Sequence, residues 1–217
     1  MATAACILFG FRMLKTQDVA GKSVLEVGSR DVNGSLRPIV ESLQPSEYTG
    51  VDIESGAGVD RICEAGHLVE TFGEEAFDVV ISTELLEHVR DWRSAVSNMK
   101  RVCRQNGVIL LTTRSPGFYY HAYPFDFWRY EPEDIQAIFS DMELVALERD
   151  APESPGVMAK VRKPSQPEER NLSDICLYTV IGGQRTRDLD DRSISKFLRR
   201  MRIRRDISRL AAKVMGT

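Results

Sequence analysis

One stretch of this chain concentrates residues that could do chemistry. Residues 117–130 read Gly-Phe-Tyr-Tyr-His-Ala-Tyr-Pro-Phe-Asp-Phe-Trp-Arg-Tyr and hold eight of the chain's 17 aromatic residues. An imidazole titrates near neutrality and can take a proton from a hydroxyl, so His121 is the candidate catalytic base. Aromatic walls suit an apolar or sugar-like substrate and attract a positive group. Tyr120, Tyr123 and Trp128 are therefore the candidate substrate contacts, with Phe125, Phe127 and much of Trp128 also expected to pack. Of the other two histidines, His88 follows Glu87 and His67 reads as surface. Three acids fall where strands should end: Glu26, Asp52 and Glu64.

These residues need elements to hold them. Residues 24–27, Val-Leu-Glu-Val, read as a short buried strand, and Gly28 follows in a turn with a helix expected near Gly34-Ser35. In an open α/β sheet, ligands bind just past the carboxyl ends of such strands. A glycine there lets a ligand approach the backbone. Glu26 is expected to face that crevice, where an acid suits a positively charged ligand better than a pyrophosphate. A dinucleotide site wants G-x-G-x-x-G, yet the positions two and five after Gly28 are Arg30 and Asn33. A nucleotide-dependent oxidoreductase is disfavoured on that ground. Residues 47–52 read as a second strand ending in Asp52, an acid placed to bind ribose hydroxyls.

The remaining chain continues the alternation. A helix with apolar Ile7, Leu8, Phe11 and Leu14 precedes the first strand. Residues 59–63 form a candidate third strand and 77–83 a fourth. Asp91 caps a helix whose apolar positions are Trp92, Val96, Met99 and Cys103, and Asn106-Gly107 is expected to end it. Residues 108–113 are the fifth strand. A helix from Pro132 to Phe139 and strands over 143–149 and 157–162 complete the pattern. Residues 163–170 read as a linker, and 176–181 as an extra strand that could pair with another subunit.

Composition narrows the class. The four cysteines are widely spaced with no C-x-x-C, which predicts a reducing, cytoplasmic setting and no metal site. No apolar run is long enough to span a membrane. Residues 4–11 are apolar but lack a preceding basic region, so no signal peptide is expected. The net charge of −3 divides into +7 over residues 182–217 and −10 over the rest. The basic tail has helical periodicity through Ile194, Phe197, Leu198, Met201, Ile203, Ile207, Leu210 and Val214. It reads as a helix packing on the domain or across a homodimer; no nucleic-acid-binding motif accompanies it.

Glu26-x-Gly28 resembles motif I of the class I S-adenosylmethionine (SAM)-dependent methyltransferases. Residues 77–82, Phe-Asp-Val-Val-Ile-Ser, running into Leu86-Glu87-His88-Val89, closely resemble the type 11 branch of that family. The stretch Arg-Val-Cys-Arg-Gln-Asn-Gly-Val-Ile-Leu-Leu at 101–111 matches it too. The similarity covers about residues 22–163. It implies a Rossmann-like, mostly parallel sheet of seven strands with helices on both faces. The expected organisation is a methyltransferase domain over 1–163 and a C-terminal extension over 164–217, with an extra strand and a basic amphipathic helix. The implied cofactor is SAM, held by Glu26, Gly28, Ser29, Asp52, Ile53, Glu64, Ala65, Ser82, Thr83 and His88. The implied reaction moves a methyl group to a small-molecule acceptor, a hydroxyl of a sugar or natural product. Two alternatives stand beside it: a SAM-binding interaction module without turnover, and an RNA methyltransferase using the basic tail.

Overall fold

A computed structural model describes residues 3–121 and 125–214, with side chains of the last helix as far as Ile203. Seven strands form the main sheet: β1 (Ser23–Val27), β2 (Glu47–Asp52), β3 (Arg61–Ile62), β4 (Phe77–Thr83), β5 (Cys103–Arg114), β7 (Glu143–Arg149) and β8 (Gly156–Arg162). Their order is β3-β2-β1-β4-β5-β8-β7. The first five strands are parallel, and β8 pairs antiparallel with both β5 and β7. The seven-stranded Rossmann-like sheet expected from the sequence is therefore present.

Strands buried on both faces must be apolar at successive positions. Val80 faces one core cluster, with Leu25 and Val27 of β1, while Val79 and Ile81 face the other with Val24. The first cluster is sealed by α4 (Leu68–Phe72), α5 (Trp92–Val102) and α6 (Pro132–Ile138). The second lies under α1 (Ala4–Met13), α2 (Thr16–Val19) and α3 (Arg37–Ser42). Asp91 accepts a hydrogen bond from Ser94 N at 3.1 Å and caps α5. Trp92, Val96, Met99 and Cys103 are all fully buried.

Three local readings are corrected. In α1 the buried positions are Cys6, Phe9 and Gly10, while Leu8 and Phe11 are exposed. α3 begins at Arg37, after the Gly34-Ser35 turn rather than in it. α5 ends at Val102, because Cys103 already pairs with Phe77, and Asn106 sits at φ 61° in an irregularity of β5.

The C-terminal extension is folded against the domain. β6 (Trp128–Arg129), β9 (Leu177–Thr179) and β10 (Gln184–Thr186) make a second sheet in the order β10-β9-β6. The extra strand thus pairs within its own chain. Leu172, Ile175 and Leu177 join the first core cluster. Helix α7 (Asp191–Val214) follows; Arg90 and Arg93 bond to Asp191 and Asp188 at its approach. Among the described residues no helix is long and apolar enough to cross a membrane.

The turn after β1 nests against β2 at Gly50. A Cβ there would lie 2.2 Å from Gly58 O and 2.7 Å from Ser29 Oγ. Gly50→Ala is expected to cost about 1–3 kcal/mol, the usual penalty of overpacking. Urea denaturation of the variant checks this.

Candidate functional site

A cavity of about 420 Å³ opens past the carboxyl ends of β1, β2 and β4, where an open α/β sheet presents ligands. Its size suits a small molecule or cofactor. Gly28 forms its floor at φ 80°, and a Cβ there would approach Leu85 to 3.1 Å. Asp52 stands at the end of β2, bound to the backbone N–H groups of Arg30 (3.3 Å) and Glu54 (3.2 Å). These bonds fix the carboxylate beside the cavity and order the loop after β1. Glu64 lies at the rim, largely exposed, 3.7 Å from His67.

Of the residues assigned to the cofactor, Gly28, Asp52, Ile53, Glu64, Ala65 and His88 line this cavity. Glu26, Ser29, Ser82 and Thr83 lie behind its wall, each 3% exposed or less. The expectation that Glu26 faces the crevice is corrected. Strand alternation turns it to the side of Val24, where the Tyr48 hydroxyl donates to Glu26 Oε2 at 2.6 Å. Burial pushes its carboxyl up to about 7, against that hydrogen bond. Asp60 accepts from Gly50 N and pairs with Arg37, away from the cavity lining. His67, read as surface, lines the cavity mouth, as do Arg30 and Ser94. Sequence reasoning missed the last two because no motif marks a loop residue after β1 or a first-turn residue of α5 that the fold brings to a strand end.

Beyond β4 the chain turns through Glu84 at φ 52°, and Leu86–His88 form a 3-10 turn. Glu84 is buried and engages Arg114, Thr112 and the Cys6 thiol. Burial first, then the neighbouring Glu87, push it up to about 7 against the pull of Arg114. Glu87 is fully buried; its Oε2 accepts from Thr113 Oγ1 at 2.8 Å.

The aromatic segment is stitched onto this turn. Phe127 N donates to Glu87 O, the Tyr130 hydroxyl to Leu86 O, and Trp128 Nε1 to Arg90 O. Trp128 is 1% exposed and belongs to the core, which corrects its assignment as a substrate contact. Phe125 is 40% exposed rather than packed. Tyr120 meets Phe197 of α7, ring centroids 5.2 Å apart, and does not line the cavity. Tyr123 lies outside the described residues.

His121 is brought to the cavity's edge by its contact with His88, ring centroids 4.8 Å apart. Its Nδ1 lies 3.0 Å from Asp126 Oδ2, and its Nε2 3.8 Å from Glu87 Oε1. Burial alone would raise Asp126, but Arg129 and His121 outweigh it and hold the carboxyl well below the usual range. The expectation of no metal site came from cysteine spacing. The fold instead assembles Glu87, His88 and His121, whose ligand atoms all lie within 4.8 Å of one another.

A family model described as a methyltransferase domain matches residues 5–150. The chain belongs to that family. Its fold agrees: a SAM-dependent methyltransferase from Mesorhizobium loti aligns over 74% of this chain and 99% of its own, with a TM-score of 0.52 at 15% identity. A Burkholderia thailandensis N1-methyltransferase with bound S-adenosylhomocysteine aligns over 74% and 79%, at TM-score 0.55 and 15% identity. In sequence, a ubiquinone biosynthesis O-methyltransferase of Pseudomonas syringae pv. tomato is 30% identical over 155 residues, 62% of this chain and 65% of that protein. A phthiotriol/phenolphthiotriol dimycocerosates methyltransferase of Mycobacterium ulcerans is 29% identical over 111 residues, 46% and 40% of the two chains. The methyltransferase chain thus spans less than two thirds of the length of these curated relatives.

Two outcomes are expected. Asp52→Ala should weaken S-adenosylhomocysteine binding by about 1–3 kcal/mol, the cost of a lost hydrogen bond to a charged group, as read by calorimetry. Alongside Glu84, Glu26 contributes to the pH dependence. Its folded value of about 7 lies above its ordinary 4.5, so the fold holds a proton that the unfolded chain has released. Its contribution to stability is then fullest below about pH 4.5 and falls as pH rises towards 7. Glu26→Gln should shrink that fall, measured as urea midpoints at about pH 5 and pH 8. An undiminished fall would assign the titration elsewhere.

Proposed function

We propose that this methyltransferase transfers the methyl group of SAM to a hydroxyl of a small-molecule acceptor, such as a sugar or natural product. One observation carries the reading: His121, tied to Asp126, stands against His88 on the wall of the cavity. When bound, SAM supplies a methyl group already activated by its sulfonium. Positioning then supplies much of the rate. In this reading Asp52 takes the ribose hydroxyls, Glu64 the adenine edge, and Gly28 admits the remainder, all three lining the cavity. A hydroxyl acceptor also has to lose its proton, and His121 is the group placed to make that hydroxyl reactive. The O-methyltransferase names of the curated relatives support an oxygen acceptor. An amine or carbon acceptor would make less use of this imidazole.

The test is a panel of hydroxyl, amine and activated-carbon acceptors incubated with SAM and read by mass spectrometry. Methyl ethers are expected. In the same assay His121→Ala should lower turnover roughly 10²–10⁴-fold while S-adenosylhomocysteine binding is unchanged. A well-folded His121→Ala protein with full turnover removes His121 from the chemistry.

A further inference from the structure

We propose that Glu87, His88 and His121 form a binding site for one divalent transition-metal ion at the edge of the cavity. The inference starts from where the protons sit. His121 Nδ1 faces the Asp126 carboxylate, and His88 Nδ1 faces the Phe125 carbonyl oxygen at 2.5 Å. Both partners accept only, so each Nδ1 carries the hydrogen. In its neutral form each ring then presents a bare Nε2 lone pair on its other side.

Both lone pairs turn towards the same carboxylate oxygen. Glu87 Oε1 lies 3.8 Å from His121 Nε2 and 4.0 Å from His88 Nε2. The Glu87 side chain is fully buried, and Oε1 has no hydrogen-bond partner among the described residues. Its other oxygen is already taken by Thr113. A buried carboxylate oxygen left unsatisfied is costly, and here two further acceptor atoms converge on it. A cation between them answers all three.

The surroundings have the form of a supported metal site. Metal-bound imidazoles usually donate their second nitrogen to a carboxylate or backbone carbonyl, which fixes tautomer and orientation. Asp126 and the Phe125 carbonyl stand in those two places. Asp126 is itself held by Arg129 through Nη1 (2.5 Å) and Nη2 (2.7 Å). The gaps between ligand atoms exceed those around a bound ion with ligands at about 2.0–2.2 Å, so binding draws the trio inward. Small torsions suffice for His121 and His88, whose side chains are 17% and 12% exposed.

Two imidazole nitrogens and one carboxylate oxygen suit zinc, manganese, iron or cobalt, whereas magnesium and calcium prefer all-oxygen sites. Three protein ligands leave positions open, and His88 lines the cavity. An acceptor hydroxyl that takes an open position loses its proton to solvent more readily, because the ion stabilises the alkoxide. The new carbon–oxygen bond then forms as the methyl–sulfur bond breaks, releasing S-adenosylhomocysteine. His121 acts there as a ligand rather than as a free base. This catalytic part rests on the hydroxyl-acceptor reading; the binding site does not.

The experiment is a Co²⁺ titration of the full, tag-free chain after dialysis against a chelator. One equivalent should bind, with ligand-field bands in the visible that Zn²⁺ abolishes. Glu87→Gln and His121→Ala, each with an unchanged melting curve before metal is added, should lose stoichiometric binding. Absence of bound Co²⁺ in the wild-type chain overturns the site and leaves methyl-ether formation unaffected. Equal binding in both variants also overturns it, and thiolate charge-transfer bands would then locate the ion at a cysteine. If either variant does not fold, His88→Gln, at a partly exposed ring, serves in its place, with the same loss of stoichiometric binding expected. Amine or carbon methylation in the acceptor panel would overturn the hydroxyl reading while leaving the ion bound.

Discussion

The Asp126–Arg129 pair holds the edge of the cavity together. Both side chains are essentially buried, and the guanidinium grips the carboxylate with two parallel bonds. Such a pair is worth little beside an apolar substitute, but breaking it strands a charge and costs about 3–5 kcal/mol. Its value here is placement. Arg129 also bonds the carbonyl oxygens of Trp128 and Tyr119, so one side chain spans the start and end of the aromatic segment. Asp126 receives both the backbone N–H and the ring of His121. The rings of His88 and Phe118 pack against that imidazole, and Asp126 sets which of its nitrogens faces the loop.

The extension supports the same segment from outside. Thr179 Oγ1 and Val180 N both donate to Phe127 O, and β9 pairs with β6. Arg93, at the start of α5, donates to the carbonyl oxygens of Leu172, Ile175 and Arg187. Residues past 163 therefore share the core and steady the loop that carries His121. Tyr120 follows from this arrangement: with Phe197 against its ring, it is a contact between loop and tail rather than a free substrate wall.

Acids in this fold divide by the face they occupy. Asp52 and Glu64, at strand ends, remain at the cavity, while Glu26, inside a strand, is turned into the core. Glu26 and Glu84 are both pushed up to about 7 because burial disfavours their charge. Glu87 lies between these extremes: one oxygen is satisfied within the core and the other is left for whatever the cavity edge holds.

The strands were readable because a doubly covered parallel sheet demands unbroken apolar runs, and residues 77–83 could be little else. The cap at Asp91 and the buried row of α5 followed from local chemistry and a 3.6-residue period. Gly28, Asp52 and Glu64 were legible as site residues because strand ends point to the ligand side of any such sheet. Alternation within a strand was the weak point, since it needs the register of neighbours; it hid the true direction of Glu26. The aromatic segment was visible as unusual, but its composition did not say which rings are core. That was decided by bonds to residues 86–90 and 179–180, far away in sequence. The meeting of Glu87, His88 and His121 belongs to the same class. Only the folded chain brings a turn after β4 and a loop after β5 together, and only there do two imidazoles and a carboxylate share one point.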